Sequence, residues 1–383
     1  MYCLNLPPHL RYRPENIYLV GVIPGPGKPK TDWEINHFLR PLVDELLQLW
    51  NSGIYYSRTS KYVGGRLVRC VLVPLVCDLP AARQVGGFGS YSAAYFCHMC
   101  NLRKEDMDEL DTEKWGTRTC EDHREAAEAW KDMPSVAKRK SAFKLNSTRW
   151  STLLDLPYWD PIQFTVIDSM HNHYLGLLQD HCREIWGMNT EVDEEHQGDE
   201  EGLQPAATYE TAASETATSE SAMSDIKTLK HIHTHLRDTE LPSWVNPVPT
   251  NVGAKSRGKL SADQWHVFCV VNLPIILIPL WYHKSQLHRE RLDNYMDLAT
   301  EVVIGSLLET SEPVIKIYEE VALRYLHSAK RLYNISITPN QHNSLHIPAV
   351  LRLFGPLHAV RTFFSERMNL DLQSENTNMK FGA

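Results

Sequence analysis

From Ile35 to Trp50 apolar residues recur at intervals of three, four, seven and eight positions: Ile35, Phe38, Leu39, Leu42, Val43, Leu46, Leu47 and Trp50. That spacing predicts an amphipathic helix, and Thr31 with Glu34 supplies a capping box at its start. Upstream, MYCLNLP and NIYLVGVIPG are short strand-like runs, the second closed by Pro-Gly-Pro-Gly turn chemistry. Downstream, GRLVRCVLVPLVCD is rich in Val and Leu without polar alternation in its second half, as expected of a strand covered on both faces. The order strand, strand, helix, strand indicates a mixed α/β fold for this part of the chain.

The C-terminal half has a different period. LSADQWHVFCVVNLPIILIPLW, RLDNYMDLATEVVIGSLLE and PVIKIYEEVALRYLHSAKRLY are each long and periodic enough to be helices. In the last, Pro313 falls in the first turn, and Val314, Ile317, Tyr318, Val321, Tyr325 and Leu332 are expected to share a face. The longest apolar run, residues 267–282, contains Asn272, Pro274 and Pro279; it reads as a core helix too short to cross a bilayer unaided. No internal repeat is visible.

Charge changes this picture in one place. The chain has 383 residues and a net charge of −8, which by itself argues against a nucleic-acid partner. Residues 191–226, however, hold eleven acids and no Lys or Arg, so the remainder carries 39 basic against 36 acidic residues, a balance of +3. This segment is rich in Glu, Ser, Thr and Ala and has almost no large apolar side chains. It cannot offset the entropy of ordering and is expected to be a disordered acidic loop. Eight scattered cysteines without a framework of close spacings, and no apolar N-terminal signal, point to a reducing intracellular compartment without disulfides.

Candidate chemistry begins where the apolar run at 71–77 stops on Asp78. An acid at the carboxyl end of a central strand stands where open α/β sheets place their ligands; Asp followed by Leu-Pro-Ala-Ala-Arg is equally a helix N-cap. Cys97 and Cys100 in FCHMC form a C-x2-C pair, a zinc half-site or a redox motif. Their position after a Gly/Ser/Tyr loop, rather than at a helix start following a strand, favours zinc. His342 and His346 in QHNSLH, one helical turn apart, present both imidazoles on one face as a matching half. Cys97 follows Asp78 by 19 residues, and His346 precedes Glu366 by 20. One zinc ion joining the two pairs would pin the helix carrying Glu366 against the sheet carrying Asp78. Paired acids there suit a two-metal phosphoryl-transfer site, although Glu366 also reads as a solvated helix acid.

Nearly end to end, the chain resembles the transposases of CACTA (En/Spm-type) DNA transposons in their fungal form. The resemblance rests on LNLPPHLRYRPENIYLVGVIPGPGKP, INHFLRPLVDELLQLW, LVCDLPAAR, FCHMC, LPYWDPIQFTVIDSMHNHYLGL, LPSWV, GKLSADQW, LPIILIPLW, PNQHNSLH, and FGPLHAVRTFFSERMN with NTNMKFG. It implies a ribonuclease H-like core of the DDE/D type, with Asp78 as second acid, Glu366 as third, and a large all-helical insertion between them. The order also resembles the V(D)J recombinase core, with zinc ligands falling on Cys97, Cys100, His342 and His346. The DSMHNHYLGL block around His171 matches as well, without an assigned role.

Departures from the family pattern shape the expectation. The family's first catalytic Asp sits on a strand before the LNLP run, and here no Asp precedes Asp32, which lies at a helix start. Phe363-Phe364-Ser365 stands where the family has an aromatic residue and Pro-Phe before the Glu. The chain is therefore expected to be an N-terminally truncated, catalytically incomplete transposase lacking its first strand. Expected domains are a ribonuclease H-like core over 1–190, the acidic loop over 191–226, a helical insertion over 227–335, and the C-terminal part of the core over 336–383. The expected cofactors are structural Zn²⁺ and, in the intact family, Mg²⁺ or Mn²⁺ held by Asp78 and Glu366. Expected partners are DNA at transposon ends and target and, in an active form, further copies of the chain; no membrane is expected, and the compartment is nuclear. Lys138, Arg139 and Lys140, or Lys255, Arg257 and Lys259, are basic enough to touch phosphates but read first as solvated surface. The alternatives are a non-catalytic, zinc-stabilised DNA- or protein-binding remnant, and a redox protein using Cys97 and Cys100.

Overall fold

The computed structural model describes residues 1–23, 33–188, 226–253 and 259–374. The acidic segment 191–225, Thr31, Asp32, Lys255 and Arg257 lie outside the described residues. The chain divides into two compact units. The first comprises Met1–His173, Thr300–His327 and Ser336–Ala383; the second comprises Tyr174–Ala299 and Ser328–Ile335.

In the first unit the amphipathic helix forms as its spacing predicts, over Ile35–Asn51, and buries Ile35, Val43 and Leu46. No side chain caps it at Glu34. Val43 and Leu46 pack with Ala127, Leu153, Leu154, Leu156 and Trp159. This core is fastened by polar side chains that take up backbone groups of the 150–159 loop. The Asn36 amide accepts from Thr152 N at 2.7 Å and donates to Trp150 O at 3.1 Å, while the Arg124 guanidinium donates to the carbonyls of Leu154, Leu156 and Trp159. A buried loop is tolerable only when its backbone is paired in this way.

Strand structure is sparse. Among the described residues the one sheet is a hairpin in which β1 (Ile54–Tyr56) pairs antiparallel with β2 (Arg66–Val68). Of the runs expected to be strands, residues 65–78 contribute β2 at their start and, further on, a single parallel bridge from Leu75 to Thr165, while among the described residues the two N-terminal runs meet only in the antiparallel bridge Tyr2 to Ile17. Residues 72–77 are half-buried rather than covered on both faces, and Val71 is exposed. The apolar pattern thus marked a segment that approaches one neighbouring strand, through Leu75 N to Phe164 O at 2.7 Å and Val166 N to Leu75 O at 3.2 Å. After it, the helix Leu79–Gly86 begins with Asp78 as N-cap and Pro80 in its first turn, and ends on Gly87 at φ +81°, a left-handed position that glycine fills without strain. A second core gathers Val166, Ile167, Ile315, Tyr318, Ala322, Ile347, Val350 and Leu351. On the helix Glu312–Tyr333, Tyr318, Val321 and Tyr325 are buried on the expected face together with Ile315 and Ala322, while Ile317 is 48% exposed.

The second unit is helical among its described residues, as the 3.6-residue period requires. Ser261 and Gln264 form a capping box that starts the helical run Ala262–Trp281. Continuity back to Ala262 makes the run twenty residues, long and apolar enough to cross a membrane, which corrects the expectation that it is too short. Half of it is buried, including Trp265, Phe268, Leu273, Leu277 and Trp281, as in a core helix. Trp186 and Tyr295 are also fully buried; the Trp186 indole donates to the Tyr333 hydroxyl and Tyr295 to Cys269 O.

Candidate metal centre and acidic cluster

The FCHMC loop is held in place by its central residue. His98 is fully buried, and its Nε2 lies 2.9 Å from Thr165 O; Cys100 forms an antiparallel bridge with Thr117. This turns both thiols toward the start of a helix assembled far along the chain. There, Thr338 and Gln341 make a capping box that begins Pro339–Ser344, and His342 lies within that helix while His346 flanks the next, Ile347–Phe354. Across the junction the two Nε2 atoms are 3.2 Å apart. Cys97 Sγ lies 3.4 Å from His346 Nε2, and Cys100 Sγ lies 3.3 Å from His342 Nε2.

Four donor atoms lie within 4.8 Å of one another. Tetrahedral zinc with bonds of about 2.0 Å to nitrogen and 2.3 Å to sulfur sets its ligands about 3.3–3.8 Å apart, so these separations fit that ion. The surroundings fit as well. Burial opposes ionisation of Cys97, but hydrogen bonding with Cys100 and the neighbouring His346 and His342 hold its thiol well below the ordinary range. Cys100 is pushed the other way, by its bond to Cys97 and by burial. A divalent cation is what lets both ionise together. Arg83 is 5% exposed, and its Nε and Nη2 have no hydrogen-bond partner; a buried guanidinium of this kind calls for nearby anionic charge, and the Cys97 thiolate supplies it. Arg118, also buried, donates to Cys97 O at 2.9 Å. Trp115 lies against both imidazole rings, with centroids at 4.3 and 5.2 Å; Cys97, Cys100 and His342 are buried and His346 is half-buried.

The acids are arranged differently. Asp78 Oδ1 accepts from Ala81 N at 2.7 Å, which is the N-cap geometry. Because Leu75 and Thr165 form a parallel bridge, Asp78 and Asp168, each three residues further on, stand at the same carboxyl end. Cys77 lies beside them; its thiol is pushed up by burial first and then by the charges of Asp78 and Asp168. The Asp168 side chain is fully buried and saturated. Its Oδ1 accepts from Thr362 N at 2.9 Å, and its Oδ2 accepts from Thr362 Oγ1 at 2.8 Å, His171 N at 3.1 Å and His171 Nδ1 at 2.6 Å. The other ring nitrogen, His171 Nε2, lies 3.1 Å from Glu366 Oε1.

Both nitrogens of His171 therefore face carboxylates. Burial works against its protonation, but Asp168 and Glu366 outweigh it and raise its pKa to about 10, so the ring is an imidazolium. Glu366 is half-exposed on the helix Phe363–Ser374, whose approach is tied down through Thr362. Asp78 and Glu366 make no hydrogen bond to one another; what links Glu366 to this end of the molecule is His171 and Asp168, absent from the acid pair expected from the sequence. A signal for Asp168 did exist, since FTVID repeats the form of VLVPLVCD, an apolar run stopped by an acid.

Residues 1–141 match the model of a transposase family, described as transposase family tnp2. The matched part carries Asp78, Cys97 and Cys100; Asp168, His171, His342, His346 and Glu366 lie beyond it. This similarity supports a transposase-derived protein and, with it, interaction with DNA. No curated protein matches the chain.

Proposed function

We propose that this is a transposase-derived protein of the CACTA class, built on a ribonuclease H-like DDE/D core whose chemistry is cleavage and transfer of DNA strands; the first acid of such a core has no counterpart among the residues before Asp32. The observation that carries this reading is the parallel bridge at Leu75 and Thr165, which sets Asp78 and Asp168 at one carboxyl end, with Glu366 tied to Asp168 through His171. Mg²⁺ or Mn²⁺ ions held by Asp78 and Glu366 would supply the charge that activates water and stabilises the leaving oxygen. Asp168, its oxygens already committed, positions rather than coordinates. Zn²⁺ at Cys97, Cys100, His342 and His346 is structural in this reading, since four protein donors leave no open position. The compartment is nuclear, where the DNA is, and the active family form assembles from several copies.

The test is nicking of supercoiled plasmid with Mn²⁺ by a protein supplied with an upstream Asp-bearing strand. Nicking is expected, and Asp78→Asn or Glu366→Gln should each abolish it, because each removes a charge while keeping the shape. Unchanged activity in Asp78→Asn would leave Asp78 as a helix cap only. A second reading, a non-catalytic zinc-stabilised DNA- or protein-binding remnant, is favoured by one observation: Asp78 caps a helix, Asp168 is saturated and Glu366 is engaged by His171. Under that reading the extended protein binds DNA and does not nick it.

A further inference from the structure

From Asn51 to Cys77 the chain contains Arg58, Lys61, Arg66 and Arg69 and no Asp or Glu, in a protein whose net charge is −8. The structure gathers these residues on and around the β1–β2 hairpin, where all four are exposed. The same hairpin exposes Tyr55, Tyr56 and Tyr62 at 63%, 49% and 38%. Tyr56 stands directly across from Arg66 in the register, and the Arg66 guanidinium lies over the Tyr62 ring, 4.4 Å from its centroid. Tyr55 donates to Gly64 O at 2.7 Å, bracing the loop. Gly65, at φ +87°, lets the chain turn there; a Cβ would meet Tyr56 O at 2.6 Å. The hairpin is therefore a braced element whose tyrosines and four cations are exposed, one face of Tyr62 being covered by Arg66.

We infer that the β1–β2 hairpin is a binding platform for a single DNA strand, with tyrosine rings stacking unpaired bases and the four cations pairing with phosphates. Aromatic faces interleaved with basic side chains suit this ligand because every base has a π-face and every linkage a charge. Pairing of this hairpin with the same hairpin of a second copy is disfavoured, since it would bring four like charges against four. The inference deepens the DNA-directed reading above and rests on it for the identity of the polyanion. β2 ends ten residues before Asp78, so the platform is covalently continuous with the segment that carries that acid.

The experiment is fluorescence anisotropy of the full zinc-loaded chain with a labelled oligothymidylate of about twenty nucleotides and with a duplex of equal length, over a range of salt. The parent is expected to bind both. Arg58→Gln/Lys61→Gln/Arg66→Gln/Arg69→Gln should weaken both about tenfold or more and flatten the single-strand salt slope by about 0.7 for each phosphate that is no longer neutralised. Tyr56→Leu/Tyr62→Leu, which keeps apolar bulk, should weaken the single strand about tenfold and leave the duplex near the parent value. Thermal unfolding and zinc content matching the parent certify the fold of each variant. Parent-like affinity and salt slope in the fourfold variant overturn the inference; so does a change confined to self-association in ultracentrifugation, which assigns the hairpin to a protein partner. Equal loss on single strand and duplex in the tyrosine variant overturns base stacking. If the parent binds DNA and the hairpin variants bind it equally well, the proposed function stands without this platform; if the parent binds no DNA, both fall.

Discussion

The cysteine–histidine cluster and the acidic cluster occupy the same compact unit and are both assembled from residues distant in sequence, yet they are built in opposite ways. In the first, four donor atoms converge, with three of their separations at 3.2–3.4 Å, and Cys97 Sγ also accepts from Met99 N at 3.3 Å. In the second, the polar atoms are already spent on one another: Asp168 takes four hydrogen bonds, His171 is held at both nitrogens, and Asp78 caps a helix. Donors that converge on one point are prepared for a tightly held ion. Donors that satisfy one another form a brace, and a cation entering there has to compete with existing bonds.

The largest effect expected from this contrast lies at the zinc donors. Cys97→Ser or His346→Ala should remove a stoichiometric Zn²⁺ and unfold the first unit, because structural zinc contributes directly to folding and in small zinc peptides is worth about 10–16 kcal/mol. Elemental analysis with circular dichroism checks this. Well-folded parent protein without zinc would break the comparison, leaving the cluster as a reduced thiol–imidazole core.

A smaller effect, still large for one residue, is expected at Asp168. Replacing it with Ala strips the partners from Thr362 and His171 and leaves a half-buried imidazolium uncompensated on one side; breaking a fully buried pair costs about 3–5 kcal/mol, and this partly exposed one should cost less. Denaturant unfolding measures this. The pH dependence sharpens it. His171 has a folded pKa of about 10 against an ordinary 6.5, so its contribution is whole below about pH 6.5 and is lost as pH rises through about 10. Asp168 is held below its ordinary value: burial opposes this, but His171 and Thr362 prevail. Its contribution is present above the ordinary carboxylate range and is lost as pH falls through the lower folded value. His171→Gln should therefore remove the alkaline loss of stability and also shrink the acid limb due to Asp168, because the His171 ring is the main partner that holds that carboxyl low and only Thr362 and the backbone N–H at position 171 remain. An unchanged alkaline limb would show that His171 is not held as an imidazolium.

How far the sequence displays these two clusters follows from their chemistry. C-x2-C and H-x3-H are visible because metal donors come in short, fixed spacings that a single turn or knuckle imposes, and the structure brings the two pairs together. The helix Ile35–Asn51 is visible for a similar reason, its period being local. The strand-like runs are less so: apolar character marks burial, but whether a segment builds a ladder depends on its neighbours, and here the ladder forms at Arg66–Val68 while the apolar stretch after it finds a single bridge, at Leu75. The brace around Asp168 is least legible. Thr362 and Asp168 are 194 residues apart and follow no spacing rule, so the pairing appears only once the chain has folded. The acid that repeats the pattern of Asp78 was in plain sight, but its partners were not.

The smallest expected effect decides between the two roles of Asp78. As an N-cap it satisfies one backbone donor, Ala81 N, so Asp78→Ala should cost about 1 kcal/mol, whereas Asp78→Asn, which caps nearly as well, should change stability by no more than a few tenths. Asn keeps the hydrogen bond and loses the charge. If the carboxylate also serves a divalent ion, Asp78→Asn should leave the unfolding transition where it was and weaken Mn²⁺ binding, measured by electron paramagnetic resonance titration of the zinc-loaded protein. If Mn²⁺ binding is the same in Asp78→Asn and parent, the acid at the end of the apolar run is there to start a helix, and the acidic cluster is a structural brace throughout.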